Sequence, residues 1–374
     1  MSRRHTADVA VYAPLAGTFY ASRGRPSGGA ELQSLYLVKA LAEAGLNVRH
    51  VVAGVDRPTV RDGIGVVPLP AGYASRGVRR RLAVLRALRE ADASVYIQRN
   101  AGFETGVVGT FARATARRFV YSSSSLADFD LTKRTAQQAG ASLDEWPTRL
   151  QYRVGLRAAH RVVVQTEEQE ALARRLRLDP VAIRSFCEPA SFSDRRREAL
   201  LWVGRLIGFK DPLAYVELAR AVPEAVFWMV ATDSGPQWTA LADRVRAAAA
   251  EVPNLELVPP RGREELFDLY ERAVAVVTTS HFEGFPNALL EAWARGTPAL
   301  SLRIDPDGVI ERRGLGFVAH GSAERLAAAA RQWWRNPAAA AGPQSAAREY
   351  VVEMHAPAVV GAQWVELVRG QLGG

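Results

Sequence analysis

Short, uninterrupted apolar runs alternate with stretches of helical length along almost the whole chain, and that rhythm restricts the fold more than any other feature. A parallel strand buried on both faces reads as a continuous apolar run, whereas a half-exposed strand alternates. Strand-like runs occur at 9–13, 46–52, 93–98, 118–122 and 161–165, and again at 199–203, 225–230, 255–258, 273–279 and 299–302, some continuously apolar and some interrupted by a polar or charged residue. Helix-like stretches at 30–44, 78–90 and about 105–116 separate the earlier ones. Strand and helix in regular turn predict α/β domains with doubly wound parallel sheets. At 374 residues the chain exceeds what one core normally serves, so two such domains are expected. The boundary falls within 183–197, where Cys187-Glu188-Pro189-Ala190-Ser191 and Ser193-Asp194 break both periodicities, giving domains at 1–190 and 191–340.

Composition removes several classes of function. No apolar run approaches a membrane span of about 20 residues, and 9–13 is too short for a signal-peptide core. One cysteine, Cys187, allows no intrachain disulfide and no zinc cluster, which points to a reducing cytoplasm. With no histidine or basic neighbour in sequence, Cys187 reads as a packing residue and not a nucleophile. The net charge of +9 would suit nucleic acid, but no basic patch with interleaved aromatics and no binding module is present. Arginines on amphipathic helices read as solvated faces, with phosphate-bearing ligands or an anionic bilayer as functional alternatives. The arginine-rich stretch 75–90 is the strongest such case, and its stripe of Val78, Leu82 and Leu85 predicts a core-facing side with the arginines in water. Docking of that helix at the inner face of a membrane is the alternative.

Three loops carry candidate chemistry. The first follows the run at 273–279 and contains Glu283, Gly284, Phe285, Pro286 and Asn287, opening a helix predicted over 287–295 that carries Glu291. Pro286 suits its first turn and Gly296 its left-handed cap. Such a loop leaves the carboxyl end of a parallel strand, where open α/β sheets bind ligands. Two carboxylates there can hold a polyhydroxyl compound; the competing reading is a loop charge at Glu283 and an ion pair of Glu291 with Arg295. The second loop carries Gly204, Arg205 and Lys210 between a strand and a helix capped by Asp211 with Pro212 in its first turn. Two cations on such a loop suit a diphosphate, and Lys210 is one of only three lysines beside 45 arginines. The third, Pro26-Ser27-Gly28-Gly29-Ala30-Glu31, lets backbone amides and a helix dipole meet an anion. Its spacing is not Gly-x-Gly-x-x-Gly, so a dinucleotide redox cofactor is unsupported. No acidic or histidine cluster has metal-ligand spacing, so neither a metal nor any other cofactor is expected.

Glu283-Gly-Phe-Pro-Asn-Ala-Leu-Leu-Glu291, continuing to Gly296-Thr297-Pro298, resembles the signature of the family 4 retaining glycosyltransferases, which have the two-domain GT-B fold. Gly204-Arg205-Leu206 with Lys210 resembles the diphosphate motif of that family, and Gly28-Gly29-Ala30-Glu31 its N-terminal glycine loop. The resemblance implies two Rossmann-like domains facing across a cleft, with C-terminal helices at 341–374 returning to the first. It implies transfer of a hexose from a nucleoside diphosphate sugar, as co-substrate, to a hydroxyl acceptor. Arg205, Lys210 and Glu283 would then be catalytic, while Gly28, Gly29, Gly204, Arg261, Gly284, Phe285, Pro286, Asn287 and Glu291 would bind the donor. Gln98, Arg99, Ser124 and Asp128, after two adjacent strands of the first domain, are candidates for the acceptor. The chain departs from the family where a histidine often follows the fourth strand, having Ser122-Ser123-Ser124-Ser125 instead, and where Asp305-Pro306-Asp307-Gly308 replaces a Gly-Gly-x-x-Glu loop. A nucleotide-sugar epimerase or hydrolase of the same architecture, or a silent binding subunit, are the alternative functions.

Overall fold

The computed structural model describes residues 5–20, 29–75, 77–99, 101–130, 146–191, 197–259 and 262–373. The chain divides into two units, one reaching to Phe186 and including Pro357–Gly374, the other extending over Cys187–Ala356. The change of unit between Phe186 and Cys187 lies inside the stretch where the sequence loses its periodicity.

The first unit is built on an eight-stranded sheet. Its strands are β1 (Ala7–Tyr12), β2 (Val48–Val52), β3 (Thr59–Arg61), β4 (Ile64–Pro68), β5 (Ala93–Arg99), β6 (Arg118–Ser122), β7 (Arg161–Val164) and β8 (Pro180–Ala182). They lie in the order β3-β4-β2-β1-β5-β6-β7-β8, parallel except for the β3–β4 hairpin. The edge strands β3 and β8 and the neighbouring β4 are absent from the sequence reading; β3 is exposed at all three positions and has no apolar signature. Helices α1 (Gly29–Glu43), α2 (Val78–Ala91), α3 (Glu104–Ala114), α4 (Trp146–Arg157) and α5 (Glu167–Arg175) alternate with the strands. One face of the sheet packs on α2, α3 and α4. The other receives Leu37, Val38 and Leu41 of α1 together with Val360, Trp364 and Val368 of the last helix, Pro357–Leu372.

Two expectations change here. On α2 the inward side chains are Ala83, Val84, Ala87, Leu88 and Ala91, while Val78 and Leu82 are 69% and 58% exposed. The helix has two apolar stripes, and the sheet takes the one with the smaller side chains, which lets the backbone approach. The tail also divides instead of returning whole. Ala347, Tyr350 and Val351 of the helix Ala341–Met354 belong to the core of the second unit, and only the final helix packs with the first.

Helices α3 and α4 meet through Gly106, Gly109 and Gly155; a Cβ on Gly155 would lie 2.2 Å from the Thr105 carbonyl oxygen. Backbone cannot yield as a flexible side chain can, so Gly155→Ala should destabilise the first unit by about 1–3 kcal/mol. Thermal unfolding of the variant checks this, and an unchanged midpoint would show that the helices separate freely.

The second unit has six parallel strands: β9 (Ala199–Arg205), β10 (Phe227–Thr232), β11 (Leu255–Val258), β12 (Ala273–Thr278), β13 (Ala299–Ser301) and β14 (Gly316–Val318). Their order is β11-β10-β9-β12-β13-β14, so strand order reverses between β9 and β12. That is the doubly wound, Rossmann-like order, and ligands of such sheets bind beyond the strand ends at the reversal. Direct pairing of Leu201 with Val276 sets the register of β9 and β12. The loops leaving these two strands therefore flank the reversal.

Candidate active site

The loop after β9 forms a short 3₁₀ turn, Gly208–Lys210, and enters α6 (Pro212–Ala221) through Asp211. Asp211 adopts φ 48° and its carboxylate accepts the Ala214 amide at 3.4 Å, with Pro212 in the first turn, as the sequence predicts. Arg303, just beyond β13, donates to Asp211 Oδ2 at 3.1 Å and to the Thr279 carbonyl at 2.8 Å. Sequence spacing gave no sign of Arg303, although its position beyond a parallel strand is where such a residue would be sought.

Backbone and side-chain bonds tie the two loops together. Trp202 Nε1 donates to Thr279 Oγ1 at 3.1 Å, and the Thr279 hydroxyl donates to the Lys210 carbonyl at 2.7 Å. The His281 amide donates to the Phe209 carbonyl at 2.8 Å, and the Phe209 and Phe282 rings stack with centroids 4.9 Å apart. Gly204 belongs to this support, since a Cβ there would come within 2.9 Å of the Trp202 ring. The result is a fixed position for Lys210 opposite Glu283.

Lys210 Nζ and Glu283 Oε1 form an ion pair, and Ser280 Oγ donates to the same carboxylate oxygen at 2.9 Å. The side chains are only 19% and 14% exposed, so salt screens this pair less than a surface one. Arg205, at the end of β9, is exposed, and its side chain has no hydrogen-bond or ion-pair partner among the described residues. One cation is thus held in reserve by a carboxylate and the other is free.

The helix opened by the loop after β12, α9, spans Asn287–Ala294 and follows α7 (Thr239–Ala250) and α8 (Arg263–Arg272). Pro286 stands at its N-cap, one position earlier than expected, and supplies no capping side chain. Gly284, Phe285 and Pro286 are buried. The Phe285 ring lies in the core, with centroids 6.2 Å from Trp293 and 5.0 Å from His355, so it offers no ring face to a ligand. Asn287 opens the helix at the carboxyl end of the sheet.

Glu291 is held differently from the ion pair with Arg295 that the sequence offered. Arg263 Nη2 lies 3.2 Å from Glu291 Oε1 and the Tyr270 hydroxyl donates to Oε2 at 3.4 Å. Arg295 donates to the Glu291 main-chain carbonyl at 3.0 Å, with its guanidinium over the Phe267 ring. Burial pushes the Glu291 carboxyl up from its ordinary range, while Arg263 and Arg295 pull it back. Arg263 and Tyr270, both on α8, are site residues that sequence spacing did not reveal. Cys187 is buried, donates to the Leu290 carbonyl at 3.4 Å, and has its thiol pushed up to about 12 mainly by burial, which keeps it inert. Gly28 and Arg261 lie outside the described residues, and Gly29 is the first residue of α1.

In the first unit, strand order likewise reverses between β1 and β5, and Gln98 and Arg99 end β5. Gln98 Nε2 donates to Thr105 Oγ1 at 3.1 Å, which makes it a brace for the following loop. Asp128 Oδ2 accepts the Ser123 hydroxyl at 3.1 Å and the Ser124 and Ser125 amides at 2.8 and 3.3 Å. That carboxylate is committed to its own turn. Arg99 donates to Ser122 Oγ at 3.3 Å, and burial lowers its guanidinium to about 10, opposed by Asp128. Ser124 is half-buried, on the turn that Asp128 caps. Among the described residues, no group of three His, Cys, Asp or Glu side chains could hold one metal ion.

Comparison with known proteins agrees with this architecture. Residues 28–186 match the model of a glycosyl transferase 4-like domain, and residues 197–336 that of glycosyl transferases group 1. D-inositol 3-phosphate glycosyltransferases are similar over part of the chain. That of Frankia alni is 36% identical over 30% of this chain and 30% of its own length, and that of Mycobacterium sp. (strain KMS) is 30% identical over 42% and 40%. The chain thus aligns with less than half the length of these relatives. Among solved structures, sucrose-phosphate synthase from Thermosynechococcus elongatus superposes with a TM-score of 0.78 at 18% identity, covering 98% of this chain and 99% of that one. HepE of Anabaena, solved with UDP and glucose, gives 0.75 at 13% identity over 97% and 100%. With both domain models matched in order along two Rossmann-like units, the chain belongs to the GT-B glycosyltransferases of the family 4 and group 1 kind.

Proposed function

We propose that the protein is a retaining glycosyltransferase that moves a hexose from a nucleoside diphosphate sugar to a hydroxyl acceptor, without a metal ion. The observation that carries this reading is the Lys210–Glu283 pair at the strand reversal, with Arg205, unpartnered among the described residues, at the end of β9 just before the loop of Lys210. A donor diphosphate would accept from Arg205, from Lys210 and from the first amides of α9. Glu283, relieved of Lys210, would then accept from the sugar hydroxyls, and Glu291 from the ribose diol. The bond from the anomeric carbon to the diphosphate breaks while the acceptor oxygen bonds to that carbon on the same face. The acceptor proton passes to the departing phosphate oxygen. Fixed cations lower the barrier because charge on the leaving group grows as that bond breaks. On the first unit, the half-buried guanidinium of Arg99 at the end of β5 favours an acceptor that carries a phosphate or carboxylate, in keeping with the inositol phosphate in the relatives' name.

UDP-glucose is the first donor to test, followed by GDP-, ADP- and dTDP-sugars. A donor at 100 times its dissociation constant should stabilise the protein by about 2.7 kcal/mol in a thermal shift. The product formed in EDTA should keep the donor's anomeric configuration by proton NMR. An inverted anomer, or turnover lost to chelation and restored by Mg²⁺, would refute the reading of the site. Consumption of donor with no glycoside formed would assign a hydrolase instead.

A further inference from the structure

Two helices of the first unit turn apolar side chains to solvent. Val78 and Leu82 of α2 are joined by Leu150 and Val154 of α4, which are 49% and 45% exposed. Both helices cover the same face of the sheet, since Val84 and Leu88 of α2 share a core cluster with Tyr152 and Leu156 of α4. Their solvent faces therefore look the same way. Arg81 Nη2 donates to Gln151 Oε1 at 2.7 Å, linking the two helices.

The apolar side chains lie among exposed arginines: Arg79, Arg81, Arg86 and Arg89 on α2, and Arg153 and Arg157 on α4. The one acidic residue on the two helices is the exposed Glu90 in the last turn of α2, beside Arg89; 78–89 and 146–157 contain no aspartate or glutamate. On α2, Val78, Leu82 and Arg89 project along one line, with Arg81 on one side of it and Arg79 and Arg86 on the other. The sheet already has its own apolar stripe from this helix, so the outer one is surplus to the fold. A second copy of the chain would bring the same arginines against these and be repelled. Lipid phosphates pair with arginine, often bidentately, and the headgroup boundary accepts scattered apolar side chains without a shaped counterface.

We propose that the outward face of α2 and α4 docks the protein on an anionic lipid bilayer, with both helices lying in the plane of the interface. No helix of the described residues is long and apolar enough to cross a membrane, so attachment would be at the surface. The inference rests on this face alone and stands apart from the donor chemistry of the second unit.

The test is sedimentation of the full chain with vesicles of phosphatidylcholine, with and without phosphatidylglycerol. Binding is expected only to the anionic vesicles and should fall as salt is raised. Arg79→Ser with Arg86→Ser should weaken partitioning about 25-fold, at about fivefold for each cation lost near the surface. Val78→Asp with Leu82→Asp should weaken it by about tenfold or more. These four side chains are exposed, and circular dichroism should show the variants folded. Equal binding to neutral vesicles, no binding to either, or equal binding by wild type and the apolar double variant would overturn the proposal. A dimer in solution that the double variant splits would overturn it too, by assigning the face to self-association.

Discussion

Alanine at Arg205 or at Lys210 lowers donor turnover about 100-fold, the scale of losing one preorganised charge donor. The two losses should differ in character. Arg205 has no partner among the described residues, so its removal leaves no group unsatisfied and the fold unchanged. Lys210→Ala also deprives Glu283 of its counter-ion, leaving that carboxylate with the Ser280 hydroxyl. Single-turnover kinetics should place both deficits in the chemical step, because the charge these cations meet develops as the diphosphate leaves. Near-normal rates in both variants, with circular dichroism unchanged, would move the diphosphate site elsewhere.

Glu283→Gln and Glu291→Ala should fail in opposite ways. Glutamine at 283 frees the Lys210 ammonium, so bare nucleoside diphosphate binds at least as tightly as to the wild type. Turnover nonetheless falls about 100-fold, since a misplacement of about 1 Å of the reacting carbon costs that much. Alanine at 291 removes the acceptor proposed for the ribose hydroxyls and weakens nucleotide binding by about 1.5–3 kcal/mol, the range for charged hydrogen bonds. Glu291 also anchors Arg263 and Tyr270, so Glu291→Gln is the control that keeps the shape of that contact. Calorimetry with the bare nucleotide separates the cases. Wild-type affinity in Glu291→Ala together with lost affinity in Glu283→Gln would reverse the assigned roles.

The parts of this protein that were legible in the sequence are those fixed over a few residues. Runs such as 199–203 and 273–279 are apolar on both faces because helices cover both faces of a parallel sheet, and they occur as β9 and β12. Asp211 and Pro212 start a helix through local backbone geometry, as does the loop before Asn287. Short edge strands such as β3 and β14 escaped notice because three residues show no period.

Partnership across the fold was decided only in three dimensions. Lys210 and Glu283 stand 73 positions apart and meet because β9 and β12 are neighbours at the reversal of strand order. Glu291 has Arg295 one helical turn away, yet its carboxylate goes to Arg263 and Tyr270, because α8 packs beside α9. Asp128 accepts from its own turn and Gln98 donates to Thr105 of α3, bonds that spacing along the chain does not announce. On α2, period alone cannot choose between two apolar stripes. Packing against the sheet chose Val84 and Leu88 for the core and left Val78 and Leu82 in solvent. Sequence by itself therefore determined the longer strands, the caps and the loops that carry charge, which depend on neighbours within a turn. Which charge meets which, and which apolar face is left over, depends on distances between elements that only the folded sheets define.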